Sequence, residues 1–428
     1  MENLQPILQA LYDFWDITRG FIGFTWWFWL FLALLPTFRS AWLAWKQWEF
    51  LAKSKYIFLE MRVPREVMKS PKGMDQVLHA IHNLGNSPAD WQDKYQAGEV
   101  PRPFTFEIVS FGGETHFYMR CFFKLKGLVE ASFFAYYPDV EIIETDDFME
   151  RIPKNFAELE SKGYDLFGTE MVLVKDSVYP LRTYVDFETP DEDKQFDPIS
   201  TVLEVMSKLK PEEFIGVQIN VAQANDWPKK WDGVVKELRK STVKTEEGFN
   251  LLQMKSPRQT KVLEAVEENL SKPAFEASIR FIYFSPKTMF YDSFPRRGIV
   301  GAFNQYAAQD MNAFRQNFKM MTLTKLIKSP YVFPATRMKM RKKRMLLNFQ
   351  TRETPSETFI AWLLSNHTFN WYHSQSTEIN TEVLATLYHP PTHLVLTAPH
   401  MERIESRKGG PGAALPIYGD EKAIEKFQ

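Results

Sequence analysis

The chain of 428 residues balances 52 Lys and Arg against 53 Asp and Glu, a net charge of −1 that excludes recruitment of nucleic acid by a global basic field. Its single cysteine, Cys121, excludes an intrachain disulfide and fits a reducing compartment. Aromatic residues make up 15% of the chain, with 36 Phe, so a well-filled core is easily supplied, and the length beyond residue 55 suggests two or three domains.

The first expected element is a membrane anchor. Gly20–Phe38 (GFIGFTWWFWLFLALLPTF) carries no charge, and a helix of that length rises about 28 Å, close to the roughly 30 Å hydrocarbon thickness of a bilayer. Trp26, Trp27 and Trp29, with Leu30, Leu32 and Leu34, form its lipid-facing apolar surface, and Trp42, Trp45 and Trp48 follow at interfacial spacing. A secretory signal has a basic start, whereas Glu2, Asp13 and Asp16 make this one acidic. A buried core helix is the alternative, and Pro36 leaves open an oblique or kinked entry. Arg19 alone precedes the run, while Arg39, Lys46, Lys53 and Lys55 follow it. The positive-inside rule therefore predicts a single-pass protein of the cytoplasmic membrane, with its N-terminus outside and its body cytoplasmic.

Residues 41–52 are expected to continue as an amphipathic interfacial helix. Tyr56–Val63 reads as a strand, and a helix capped by Ser70-Pro71 carries Met74, Val77, Leu78, Ile81 and Leu84 on one stripe. Phe104–Phe111 and Thr115–Phe123 form a hairpin around Gly112-Gly113, followed by a helix over Leu125–Tyr137 and a strand over Val140–Thr145. The order β-α-β-β-α-β is that of a ferredoxin-like fold. A second unit repeats the plan: strand-like Met171–Lys175 and Leu181–Phe187, a helix after Asp197-Pro198, and a strand over Phe214–Ala222. Two helical stretches then interrupt it, with core positions Trp231, Val234, Val235 and Leu238, then Val262, Leu263, Val266 and Leu270. A strand over Phe275–Phe284 and a long helix over Ile299–Phe318 complete it. The expected class is α+β: anchor and interfacial helix over 1–55, a ferredoxin-like domain over 56–150, and a second α+β domain over 151–350 with a helical insertion at about 227–271. The second domain fits another ferredoxin-like fold or a separate α+β fold. A C-terminal segment spans 351–406, and 407–428 reads as a flexible tail.

Positive signs of catalysis are missing. GxxxxGK[ST], GxGxxG and GxSxG do not occur, and Lys408–Gly412 reads as a linker. His79 and His82 lie three apart on a helix without a third ligand, and Pro390-Pro391 separates His389 from His393, so no metal or cofactor is expected. Asp146-Asp147 and Asp191-Glu192-Asp193 read as solvated loops. The strongest charge feature is Arg337–Arg344 (RMKMRKKR). Its Arg337, Lys339, Arg341, Lys342, Lys343 and Arg344 form a solvated face, or contact the phosphates of nucleic acid or of anionic lipid. Phe104, Phe106, Phe117 and Tyr118 lack the Lys/Arg-Gly-aromatic signature of base-stacking modules, which leaves core packing as their role.

LEMRVPRE (Leu59–Glu66), GMDQVLHAIHNL (Gly73–Leu84), FEIVSFGGETHFYMR (Phe106–Arg120), LVEASFFAYYPDVEI (Leu128–Ile142), INTEVLATLYHPP (Ile379–Pro391) and RIESRKGGP (Arg403–Pro411) occur in that order. Together they resemble the membrane-proximal, pre-ATPase region of HerA/TraG-like DNA-translocating ATPases, relatives of type IV secretion motors. The motor's nucleotide-binding motifs fall on no position here. The resemblance implies a non-catalytic, membrane-anchored adaptor that docks a separate P-loop ATPase in a secretion-like or DNA-transfer apparatus. Asn380, Thr381, Glu382, Tyr388 and His389, together with the tail, are the implied docking surface, and ring-forming relatives imply a homo-oligomer. The alternative is a membrane-tethered nucleic-acid-binding module that uses Arg337–Arg344.

Overall fold

The computed structural model describes residues 5–63, 69–84, 90–188, 195–224, 226–239, 242–244, 250–252, 256–290, 294–308, 310–322, 333–352 and 374–392. They form two compact units.

The first unit contains helix α1 (Gln5–Lys53) and the segment 90–100. At 1.5 Å per residue α1 rises about 74 Å, more than twice a bilayer core. It is long and apolar enough to cross a membrane. Residues 41–52 continue the same helix, and Pro36 lies inside it. The polar side chains of the run find partners within it: the Thr25 hydroxyl donates to the Phe21 carbonyl (2.6 Å) and accepts from the Trp29 indole (2.9 Å).

The second unit is built on one antiparallel sheet. Its elements in chain order are β1 (Tyr56–Arg62), α2 (Lys72–His82), β2 (Phe104–Phe111), β3 (Glu114–Phe122), α3 (Lys126–Tyr136), β4 (Glu141–Thr145), α4 (Phe156–Ser161), β5 (Tyr164–Leu173), α5 (Tyr184–Phe187), α6 (Ser200–Ser207) and β6 (Phe214–Gln223). There follow α7 (Trp227–Lys230), α8 (Asp232–Arg239), β7 (Thr242–Lys244), β8 (Asn250–Leu252), α9 (Pro257–Ser271), β9 (Ala274–Pro286), α10 (Pro295–Phe303), β10 (Phe314–Gln316), α11 (Pro334–Thr351), β11 (Thr377–Asn380) and α12 (Thr381–Leu387).

The strands lie side by side in the order β4-β1-β3-β2-β6-β9-β5-β10, with β11 beside β9. Each half therefore reads fourth, first, third, second. The halves meet where β2 pairs with β6 from Phe104↔Val221 to Phe111↔Phe214. That ladder corrects the expected boundary near residue 150, because one sheet and one core run across it. The Gly112-Gly113 turn between β2 and β3 has φ of 58° and 98°, which glycine adopts without strain.

One face of the sheet, with Phe104, Phe106, Phe117, Ile219 and Phe281, packs under α2, α3, α6, α10 and α12. The other, with Val109, Tyr118, Phe214 and Ile282, packs under α4 and α11. Helix α11 comes close enough that a Cβ on Gly168 would meet Met345, and one on Gly216 would lie 2.6 Å from the Phe349 ring. The insertion between β6 and β9 brings its expected apolar positions, Val235 and Val266 with Trp231, Leu238 and Val262, into a small separate core completed by Val178 and Tyr179.

Two expected elements differ. The helix over Ile299–Phe318 stops at Phe303, and the chain turns at 304–306 before entering β10. Phe303, Tyr306 and Phe314 still pack together, and Asn312 donates to the carbonyls of Lys175, Asp176 and Tyr179, a loop closure that imitates helical spacing. Leu181–Phe187 is not a strand. Thr183 and Asp186 form a capping box that starts α5 there.

Candidate functional site

The expected anchor residues Trp26, Trp27, Trp29, Leu30, Leu32 and Leu34 are all exposed along α1, the state an apolar run adopts when lipid is its solvent. The other expected sites lie in the body.

The basic run falls on α11 and is divided by the helix period. Arg341 and Lys342 are buried, with Arg341 donating to the Met321 carbonyl (3.1 Å) and Lys342 pairing with Asp165. Burial, with Arg337 nearby, pushes the Arg341 guanidinium down to about 10, so it stays charged at neutral pH. Exposed Lys339 bridges to Glu160 (2.6 Å), Lys343 is exposed, and Arg337 and Arg344 are half-buried. Much of the expected phosphate-binding charge is thus engaged inside the fold. A solvated stripe of six cations is corrected to a helix that pins itself to β5 and α4.

The docking segment is corrected more strongly. Asn380, Thr381, Glu382, Tyr388 and His389 are all buried and offer no open surface. The Asn380 side chain caps α12 through the Val383 N–H (2.8 Å) and donates to Asn269 (2.9 Å). Glu382 accepts from Thr183 and Lys272. The Tyr388 ring packs on Phe106 at 4.9 Å while its hydroxyl donates to the Tyr118 carbonyl (3.0 Å). His389 is bonded through Nδ1 to the Ala385 carbonyl (2.7 Å) and through Nε2 to Asp197 (2.9 Å). Asp197 also accepts the Thr392 N–H and hydroxyl, both at 2.8 Å. Burial works to raise the Asp197 carboxyl, but the His389 charge and these hydrogen bonds outweigh it and hold it below the usual range. Thr392, the last described residue, is thus tied to the body through Asp197.

A buried polar row was not expected. Glu107, Gln218, Arg280 and Glu170 are paired in register across β2, β6, β9 and β5, each at most 1% exposed. Gln218 donates to Glu107 (2.7 Å), and Arg280 donates to Glu170 (3.0 Å). Arg352, at the end of α11, forms a fork with Glu107 (3.1 and 2.9 Å) and reaches Asp147 (2.7 and 2.8 Å). Its backbone is left-handed (φ 55°), a strained position for a side chain other than glycine's. Asp147, expected in a solvated loop, belongs to this network. The available signal was a charged or amide side chain amid the apolar residues of each strand, since a buried charge requires a partner.

The histidines of α2 serve the fold. His82 meets the Ala274 carbonyl (2.9 Å) and His79 the Asp75 carbonyl (2.9 Å). Among the described residues no group of His, Cys, Asp and Glu is arranged to hold a metal. His393, Asp191-Glu192-Asp193, Lys408–Gly412 and the tail over 407–428 lie outside the described residues.

The fold and these sites define an α+β body joined to one long apolar helix, with its polar groups spent on internal locks. A family model described as a domain of unknown function, DUF8128, matches residues 49–361, and the chain belongs to that family. No curated protein matches the sequence.

Proposed function

We propose that this protein is a membrane-anchored, non-catalytic scaffold that docks or positions a separate HerA/TraG-like P-loop ATPase in a secretion-like or DNA-transfer apparatus. In this reading α1 crosses the cytoplasmic membrane with its N-terminus outside. The body is two ferredoxin-like units fused edge to edge, a reading supported by the repeated fourth-first-third-second strand order.

The observation that carries the proposal is the locking of 380–392 into the core, which fixes Thr392 in one place relative to the sheet. A rigid anchorage directly before residues 393–428 suits a part that sets the position of something bound by them. Docking is therefore assigned to residues 393–428, because Asn380–His389 is occupied internally.

The test is a pull-down of the tagged full chain from detergent-solubilised membranes at natural abundance, with mass spectrometry of what is retained. Recovery of a P-loop ATPase is expected, with loss of that ATPase when 393–428 are deleted. Recovery of none sinks the proposal.

A further inference from the structure

Segment 90–100 is fastened along one stripe of α1. Arg39 donates to the Tyr95 hydroxyl (3.0 Å from Nε), and its guanidinium carbon lies 5.0 Å from the centre of the Tyr95 ring. The Trp42 indole donates to the Tyr95 carbonyl (3.0 Å). A left-handed Gly98 (φ 71°) lies so close to the Lys46 carbonyl that a Cβ would clash with it. Positions 39, 42 and 46 share one helix face. From Lys46 back to Arg39 the helix falls about 10 Å. The segment therefore descends α1 from Gly98 to Tyr95, ending one residue from the uncharged stretch that closes at Phe38. There the Trp91 ring lies tilted against Tyr95, centroids 5.7 Å apart, and remains 65% exposed.

An indole held open at that height has a specific physical environment. Aromatic rings with a polar edge collect at the headgroup level of a bilayer. Around Trp91 both signs of charge alternate, with Asp90, Asp93 and Lys94 on the segment and Arg39 and Lys46 on the helix. Trp42, Trp45 and Trp48 extend the aromatic surface, with Lys46 over the Trp45 ring at 4.9 Å. Mixed charge fits zwitterionic headgroups and does not call for an anionic surface.

We propose that segment 90–97 is a second membrane contact, with Trp91 and Tyr95 lodged in the phospholipid interface beside α1. The inference rests on α1 crossing the bilayer. It makes the chain's hold on lipid two-point: a span, and a side prop that fixes the tilt and rotation of that span.

The test uses the full chain in phosphatidylcholine vesicles, carrying the fluorophore NBD on Trp91→Cys or, as a second site, Gln92→Cys. Buried Cys121, its thiol pushed up to about 12 by desolvation, stays unlabelled. Doxyl lipids quench either near the headgroups or deep in the chains, and Leu30→Cys reports the span. Labels at 91 and 92 are expected to be quenched at least about twofold more by the shallow quencher, and the label at 30 more by the deep one. Quenching at 30 with none at 91 and 92 overturns the side contact alone. No quenching at 30 overturns the spanning helix and the inference with it.

Discussion

Arg352 gives the sharpest handle on how the body is held together. Replacing it with alanine leaves Glu107, 0% exposed, with the Gln218 amide and without the cation bonded to it. Breaking a buried ion pair from one side costs about 3–5 kcal/mol. Alanine also keeps the left-handed backbone at this position, whereas glycine removes a penalty of about 1 kcal/mol. Arg352→Ala is therefore expected to lie about 1 kcal/mol below Arg352→Gly, with both far below the parent. The double variant Glu107→Leu/Arg352→Met removes both charges together, Gln218 keeps the Phe349 carbonyl (2.9 Å), and much of the loss is expected to return. Urea unfolding of the full chain in detergent, followed by near-ultraviolet circular dichroism, measures all four. A loss below about 1 kcal/mol for Arg352→Ala, or a double variant no more stable than Arg352→Ala, would refute the reasoning.

Other expectations follow from the same packing. Gly216→Ala drives a Cβ into the Phe349 ring and should cost about 1–3 kcal/mol in the same unfolding assay, with Phe349→Leu restoring part of it. The Asp197 carboxyl is held below its ordinary value when folded, so its contribution is complete above about pH 4 and fades as pH falls through the folded value. Asp197→Asn should lower stability at pH 7 and flatten the acid limb of the stability–pH curve; an unchanged limb would remove Asp197 from the account. Lys343→Gln should be neutral within about 0.5 kcal/mol, whereas Lys342→Met strands Asp165 and should cost about 3 kcal/mol or more, a contrast that melting curves resolve. Cys121 should resist maleimide in the folded chain and react fully in urea.

The hydrophobic run of α1 and most strands were legible because their signals are local. A charge-free stretch between basic flanks, a Gly-Gly hairpin and period-two alternation each act within a few residues. The repeated strand-helix order was equally visible, but its consequence was not. Nothing in the alternation of Phe104–Phe111 or Phe214–Ala222 announces that these strands pair with each other, since register between distant strands is set by packing. The same limit explains the site. Arg337–Arg344 looks like one cluster in sequence, yet the helix period turns Arg341 and Lys342 inward. Asn380–His389 carries polar and aromatic residues of the kind surfaces use, but Asp197, Asn269 and Thr183, far away in the chain, claim them. Glu107 and Arg352 lie 245 positions apart, and only the folded sheet brings them together.

The strand order has a consequence for assembly. Fusing the halves through β2 and β6 uses up the two longest rims, and the sheet ends at β4 with five residues and at β10 with three. Rims that short give an incoming strand little ladder to extend, which is how sheets avoid growing by edge addition. Neither end strand therefore offers copies of this chain much backbone to pair through.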